Sequence, residues 1–198
     1  MTEAQAKAIS RADKPILVYV YNDEVDEDAR FAIEEASAFV DDKVAIGARF
    51  FTCVRIDAET AKNDRALKEH VGRANSLIFV RPDYKVAKTI MFKGKKISAR
   101  KVFGGMCATM KLDYQNCVSS AYSKMKKVQK DRLKLDQEQN KVGSLDDKIA
   151  NEKTASRREK LIAQRDKIQE KLDAKYEKID ARETELFELK LKRAKATS

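Results

Sequence analysis

Three short, nearly unbroken apolar runs mark the first half of the chain: PILVYVY (Pro15 to Tyr21), FFTCVRI (Phe50 to Ile56) and SLIFVR (Ser76 to Arg81). Runs of this length, rich in β-branched and aromatic residues, predict strands covered on both faces. A fourth strand, KVAKTIMF (Lys85 to Phe92), follows RPDY, where Pro82 and Asp83 suit a turn. Between the first two runs, Asp28 to Phe39 carries Phe31, Ala32, Glu35, Ala36 and Phe39 along an i, i+4 edge, and Thr60 to Val71 reads as a second helix. Strand, helix, strand, helix and hairpin predict an α/β sandwich whose first connection is a right-handed crossover between parallel strands.

After Lys96 the pattern changes. Ala121, Met125, Val128, Arg132, Leu135, Gln139 and Val142 alternate four and three apart, a coiled-coil seam with Arg132 and Gln139 as polar members. NKVGSLDDK then reads as a break near 142–146, with Gly143 as a C-cap, Ser144 as an N-cap, and Asp146 and Asp147 favouring a new helix start. Leu145, Ile149, Leu161, Ile168, Leu172, Ile179, Leu186 and Leu189 continue a second stripe, interrupted around Thr154 to Arg158. The expected organisation is an α/β domain over 1–97 and an antiparallel helical hairpin, a coiled-coil arm, over 98–198. At 1.5 Å per residue, legs of about 40 residues would be on the order of 60 Å long.

Charge sharpens this division. The chain carries 42 Lys and Arg against 32 Asp and Glu; residues 98–198 hold 25 basic and 16 acidic side chains, residues 1–97 only 17 and 16. The positive excess therefore belongs to the helical half and favours anionic partners, nucleic acid included. No apolar run approaches the roughly 20 residues of a membrane span, and MTEAQAKAISRADK has no apolar signal core, so the expectation is a cytoplasmic protein without membrane association. Cys53, Cys107 and Cys117 form no CxxC pair, and their odd number argues for reduced thiols. Cys53 is expected to be buried among Phe51, Val54 and Ile56. Cys107 and Cys117, read as lying on one long helix, would be too far apart along its axis to pair.

Three stretches, AQAKAISRADKPILVYVY, EEASAFVDDKVAIGARFFTCVRIDAET and LKEHVGRANSLIFVRPDYKV, together resemble the single-domain thioredoxin-like proteins over about half the chain. The resemblance implies a thioredoxin-like sandwich and locates the places where that family keeps its chemistry: a WCxxC motif after the first long strand and a cis-proline before the next-to-last one. Here Glu24 stands at the tryptophan, Val25 and Asp28 at the two cysteines, and Asn75, or Ser76 beside it, at the cis-proline. Thiol–disulfide exchange needs an attacking thiolate and a resolving thiol a few ångströms apart, which valine and aspartate cannot supply. The implied domain is redox-inactive.

The remaining candidates are structural on the same reading. Asp23, Glu24, Asp26, Glu27 and Asp28 suit a helix N-terminus, and DEVDEDARFAIE lacks the central glycine of an EF-hand, so no metal site is expected. His70 has no visible catalytic partner. The basic runs Lys93, Lys95, Lys96 and Lys124, Lys126, Lys127, Lys130, Arg132, Lys134 are candidate anion contacts, although acids interleave the second helix and no aromatic stacking set accompanies them. The expected function is therefore a non-catalytic scaffold in which the α/β domain and the basic arm meet a protein partner or a second copy. It would use no cofactor and no small-molecule substrate, and nucleic-acid or ribosome binding through the arm is the alternative.

Overall fold

A computed structural model describes residues 14–22, 38–92 and 97–192. Their strands are β1 (Ile16–Tyr21), β2 (Thr52–Asp57), β3 (Ser76–Val80) and β4 (Val86–Met91); their helices are α1 (Asp42–Ala48), α2 (Ala58–Lys62), α3 (Ala99–Asp113), α4 (Val118–Asn151) and α5 (Ala155–Phe187). The chain divides into two compact units, one of Met1–Tyr122 with Leu189–Ser198 and one of Ser123–Glu188.

In the first unit the strands form one sheet in the order β2-β1-β3-β4. β1 pairs parallel with β2 and antiparallel with β3, and β3 pairs antiparallel with β4. The two inner strands are the most continuously apolar runs, and their side chains are buried on both faces, as the sequence pattern requires. Ile16, Val18, Val20, Ile78 and Val80 face a core completed by Ile56, Ala58, Ala61 and Leu67. Phe79, from the opposite phase of β3, meets Phe51 edge-on at 6.1 Å between ring centroids. A Cβ built on Gly105 of α3 would lie 2.6 Å from Phe79 Cζ, so only glycine lets this helix sit directly on that ring. The Pro82–Asp83 turn is closed by Tyr84 N–H donating to the Arg81 carbonyl at 3.0 Å, with Tyr84 itself at φ 63°.

Three local expectations change. The helix expected from Thr60 to Val71 is only α2 followed by a 3₁₀ turn, Lys68–His70. Asp64 interrupts it by accepting from Ala66 N–H and Leu67 N–H at 2.9 and 3.2 Å. The short helix α1 was not expected; Asp41 starts it by accepting from Lys43 N–H at 2.8 Å. The predicted helix from Asp28 lies outside the described residues as far as Ala38, where a 3₁₀ turn runs to Val40.

The boundary at 97 also moves. α3 belongs to the first unit, because Val102, Met106 and Met110 are fully buried there. Residues after α5 return to the same unit: Gln115 N–H donates to the Lys190 carbonyl and Lys192 N–H to the Asp113 carbonyl, both at 2.8 Å, flanking an antiparallel bridge between Tyr114 and Leu191. Asp113 is further fixed by a bidentate pair from Arg81 Nε and Nη2 at 2.8 and 2.6 Å.

The second unit is an antiparallel helical pair. Met125, Val128, Leu135, Val142 and Leu145 of α4 and Leu172 and Ile179 of α5 supply its buried seam. The cross-pairs run in opposite directions along the two helices: Arg132 with Asp180 and Glu183, Tyr176 hydroxyl to Asp136 at 2.8 Å, Lys175 to Glu138 at 2.6 Å, and Gln139 to Gln169 at 3.1 Å. The reversal is not at 142–146. α4 continues through Gly143, since Val142 and Leu145 both stay in the seam, and Ser144 Oγ bonds back to the Lys141 carbonyl at 3.1 Å instead of capping a new helix. The legs are 34 and 33 residues long, joined at Glu152–Thr154, where Thr154 N–H donates to Glu152 Oε1 at 2.8 Å. Gly143 thus sits in a helix interior, and an added Cβ meets nothing within 4 Å. Gly143→Ala is expected to stabilise the helical unit by about 0.5–1 kcal/mol, read as a higher unfolding midpoint by far-UV circular dichroism.

Candidate functional site

β1 ends at Tyr21, and the chain leaving it is held by the segment that enters β3. Asn75, 3 % exposed, immediately precedes β3. Its Oδ1 accepts from Asn22 N–H at 2.9 Å, and its Nδ2 donates to the Tyr19 hydroxyl at 3.2 Å. Its carbonyl accepts from Phe92 N–H at 2.9 Å, and Asn22 Nδ2 donates to the Arg73 carbonyl at 3.0 Å. Tyr19 lies stacked on Phe92 with centroids 5.8 Å apart and meets Phe39 edge-on at 6.1 Å. β1 brings Tyr19 here because antiparallel pairing sets it opposite Leu77, two residues beyond Asn75. No peptide bond among the described residues is cis.

The position matched to the cis-proline therefore carries an amide that ties two strands together. The groups gathered around it are a phenol, two amides and backbone; none is a thiol. Ser76 is fully buried beside Asn75, and its hydroxyl has no partner among the described residues. Val25 and Asp28, the positions matched to the two cysteines, and the acidic cluster from Asp23 lie outside the described residues.

The cysteines depart from expectation. Cys53 is exposed, because β2 is an edge strand whose outward residues face solvent. Its sulfur turns back toward the Ala48 carbonyl at 3.9 Å, and partial burial of that sulfur raises the thiol above its usual range. Cys107 and Cys117 are not on one helix: α3 ends at Asp113, the chain reverses through Tyr114–Cys117, and α4 begins at Val118. The Cys117 sulfur lies 3.2 Å from the Ser119 hydroxyl, which holds this thiol below its usual range, whereas burial raises Cys107. Pattern reading missed this corner because it carried one helix through it, although the polar run QNCVSS marks a break followed by candidate capping residues.

Of the basic candidates, Lys93, Lys95 and Lys96 lie outside the described residues. Lys124, Lys126, Lys127, Lys130 and Lys134 are exposed on α4, and Lys127, Lys130 and Lys134 recur at helical spacing on one face. Arg132 does not join them, since Asp180 and Glu183 of α5 hold its guanidinium. His70 lies with Nδ1 3.2 Å from the Thr89 hydroxyl. Among the described residues no group of three His, Cys, Asp or Glu side chains could hold a metal ion, and no helix is long and apolar enough to cross a membrane.

These features define an α/β domain built on a four-stranded mixed sheet, accompanied by a long antiparallel helical pair. No protein-family model matches the chain, and neither a curated protein nor a solved structure matches it.

Proposed function

We propose that this is a non-catalytic interaction protein: a redox-inactive, thioredoxin-like domain joined to a helical hairpin that serves as the docking element for a protein partner or a second copy. The parallel β1–β2 pair and the β3–β4 hairpin support the thioredoxin-like reading. Asn75, spent on bracing β1, and Val25 and Asp28 in the cysteine positions support the absence of exchange chemistry. The hairpin carries the docking role. Its seam buries one row of side chains on each helix, leaving outward a broad polar surface that includes Leu133 at 63 % exposure among the α4 lysines. The docking role rests on the length of the two legs, 34 and 33 residues, and on the outward charged surface they carry.

The test compares the full-length protein with Lys130→Glu, Leu133→Glu, Lys134→Glu combined. Truncation within the hairpin is unsuitable, because residues 190–192 bond to Asp113–Asn116. Sedimentation and cross-linked partner capture should both change in the variant. If the two proteins sediment alike as monomers and recover the same partners, the docking role is wrong. Acceleration of insulin reduction by dithiothreitol would overturn the non-catalytic reading separately.

The five exposed lysines of α4 favour a second reading, nucleic-acid binding. Phosphate contacts weaken steeply with salt, so bound RNA or DNA should survive purification at about 150 mM salt if this reading holds, and its absence there removes it.

A further inference from the structure

The hairpin sorts its charges by flank. Residues 123–188 hold 18 basic and 15 acidic side chains, nearly balanced in number. On α4, Lys127, Lys134, Lys141 and Lys148 recur every seven residues, and all are exposed. On α5, Glu159, Asp166, Asp173 and Asp180 recur at the same interval and are likewise exposed. The seam shares this period: Val128, Leu135 and Val142 each follow one of these lysines by one residue, and Leu172 and Ile179 each precede one of these acids by one. Each row therefore keeps a constant angle to the seam.

The interhelical contacts put the two rows on opposite flanks. Lys175 to Glu138 marks one flank: Lys134 and Lys141 lie four residues before and three after Glu138, and Lys171 and Lys178 lie four before and three after Lys175. Tyr176 to Asp136 and Arg132 to Asp180 mark the other, where Asp173 lies three residues before Tyr176 and seven before Asp180. At 1.5 Å per residue, successive charges in each row stand about 10.5 Å apart, and each row runs roughly 30 Å.

A polyanion is held by a surplus of positive charge, and the acidic row removes most of that surplus from the hairpin. A protein that carries both rows at the same pitch complements both flanks, and this chain is such a protein. We propose that the hairpin docks a second copy of this chain, the lysine row of one copy seated against the acidic row of the next. This occupant presupposes the docking role of the hairpin and gives it a partner. Because the two flanks differ, the contact is heterologous: every copy offers one flank and receives the other, so copies add in series unless the rotation between them closes a ring. Exposed ion pairs are individually weak and screened by salt, and Asp166, Asp173 and Asp180 already meet Arg165, Gln169 and Arg132 of their own chain. The association is therefore modest in affinity and salt-dependent.

Sedimentation velocity of the full-length protein tests this. At about 0.1 M salt, where charges are screened over about 10 Å, the weight-average coefficient should climb with protein concentration; at about 1 M, where the screening length is about 3 Å, the dissociation constant should rise at least about tenfold. Lys127→Glu, Lys134→Glu, Lys141→Glu and Lys148→Glu combined, and separately Glu159→Lys, Asp166→Lys and Asp173→Lys combined, should each sediment as monomers, whereas an equimolar mixture of the two variants should associate. Asp180 is left in place because it holds Arg132. A monomer at both salts, association indifferent to salt, or a mixture no more associated than its components would each overturn the proposal. So would nucleic-acid absorbance travelling with the larger species, which would assign the lysine row to RNA or DNA. The salt comparison uses the unaltered chain, so it stands whether or not either variant folds. A monomer that still captures a protein partner through Lys130, Leu133 and Lys134 would remove this occupant and leave the docking role intact.

Discussion

Replacing Asn75 by alanine is expected to lower folding stability by about 1 to 3 kcal/mol, because it removes a buried side chain that bonds to both Asn22 N–H and the Tyr19 hydroxyl. Asn22 N–H and the Tyr19 hydroxyl both bond to the Asn75 side chain, and Asn75 is only 3 % exposed. The asymmetry of hydrogen-bond energetics decides the size. A satisfied pair adds modestly to stability, whereas an orphaned donor retains its full desolvation penalty. The ring of Tyr19, stacked on Phe92, resists moving its hydroxyl oxygen to a new donor. Urea unfolding followed by far-UV circular dichroism measures the loss. A change below about 0.5 kcal/mol, the usual scale of a surface substitution, would mean that Asn75 does not brace the end of β1.

The second large effect belongs to the helical pair. Leu172→Ala should destabilise that unit by about 3 kcal/mol, within the range for buried leucine deletions. Leu172 is 1 % exposed, and α5 buries only it and Ile179 fully in the seam. A helix so rich in charge is marginal alone, and its stability comes from the face it packs. Amide hydrogen exchange within 123–188 should accelerate on the order of a hundredfold, while exchange in β1 and β3 stays nearly unchanged. Equal acceleration in the sheet would show instead that the two units unfold as one. The interhelical ion pairs are too exposed to compensate, since Arg132 and Asp180 keep 41 % and 62 % of their side-chain surface in solvent.

Much of this architecture was legible from residue order. Unbroken apolarity in PILVYVY and SLIFV is what a strand covered on both faces demands, and those two became the inner strands. The seam from Ala121 to Val142 was legible down to its polar members, Arg132 and Gln139, each of which meets a partner on α5. Misreadings arose where a local signal competed with a longer-range one. Gly143 looks like a helix stop, but the seam residues on either side of it are worth more buried than a turn would be, and an αR glycine is only mildly unfavourable. α1 was invisible because seven residues are too few to establish a period. Cys53 was misjudged because its neighbours along the chain are apolar, whereas its exposure depends on β2 lying at the sheet edge.

The candidate site was legible only by halves. Resemblance singled out Asn75, yet its partner Tyr19 is 56 residues away and reaches it only through the β1–β3 register. Cys107 and Cys117 were a matter of where a helix ends. Tyr114, 1 % exposed, anchors that end through the bridge to Leu191, a residue on the far side of the hairpin in sequence.

That bridge makes the hairpin an excursion with two moorings. The chain departs the first unit after Tyr122 and rejoins it at Leu189, and the last described residues zip onto Asp113–Asn116. Turns could be added to or removed from both legs together, keeping the seam in phase, with neither mooring disturbed. A cut at the Glu152–Thr154 tip would leave each leg still rooted in the first unit. The length of the helical pair can thus vary without a change in the sequence of the first unit.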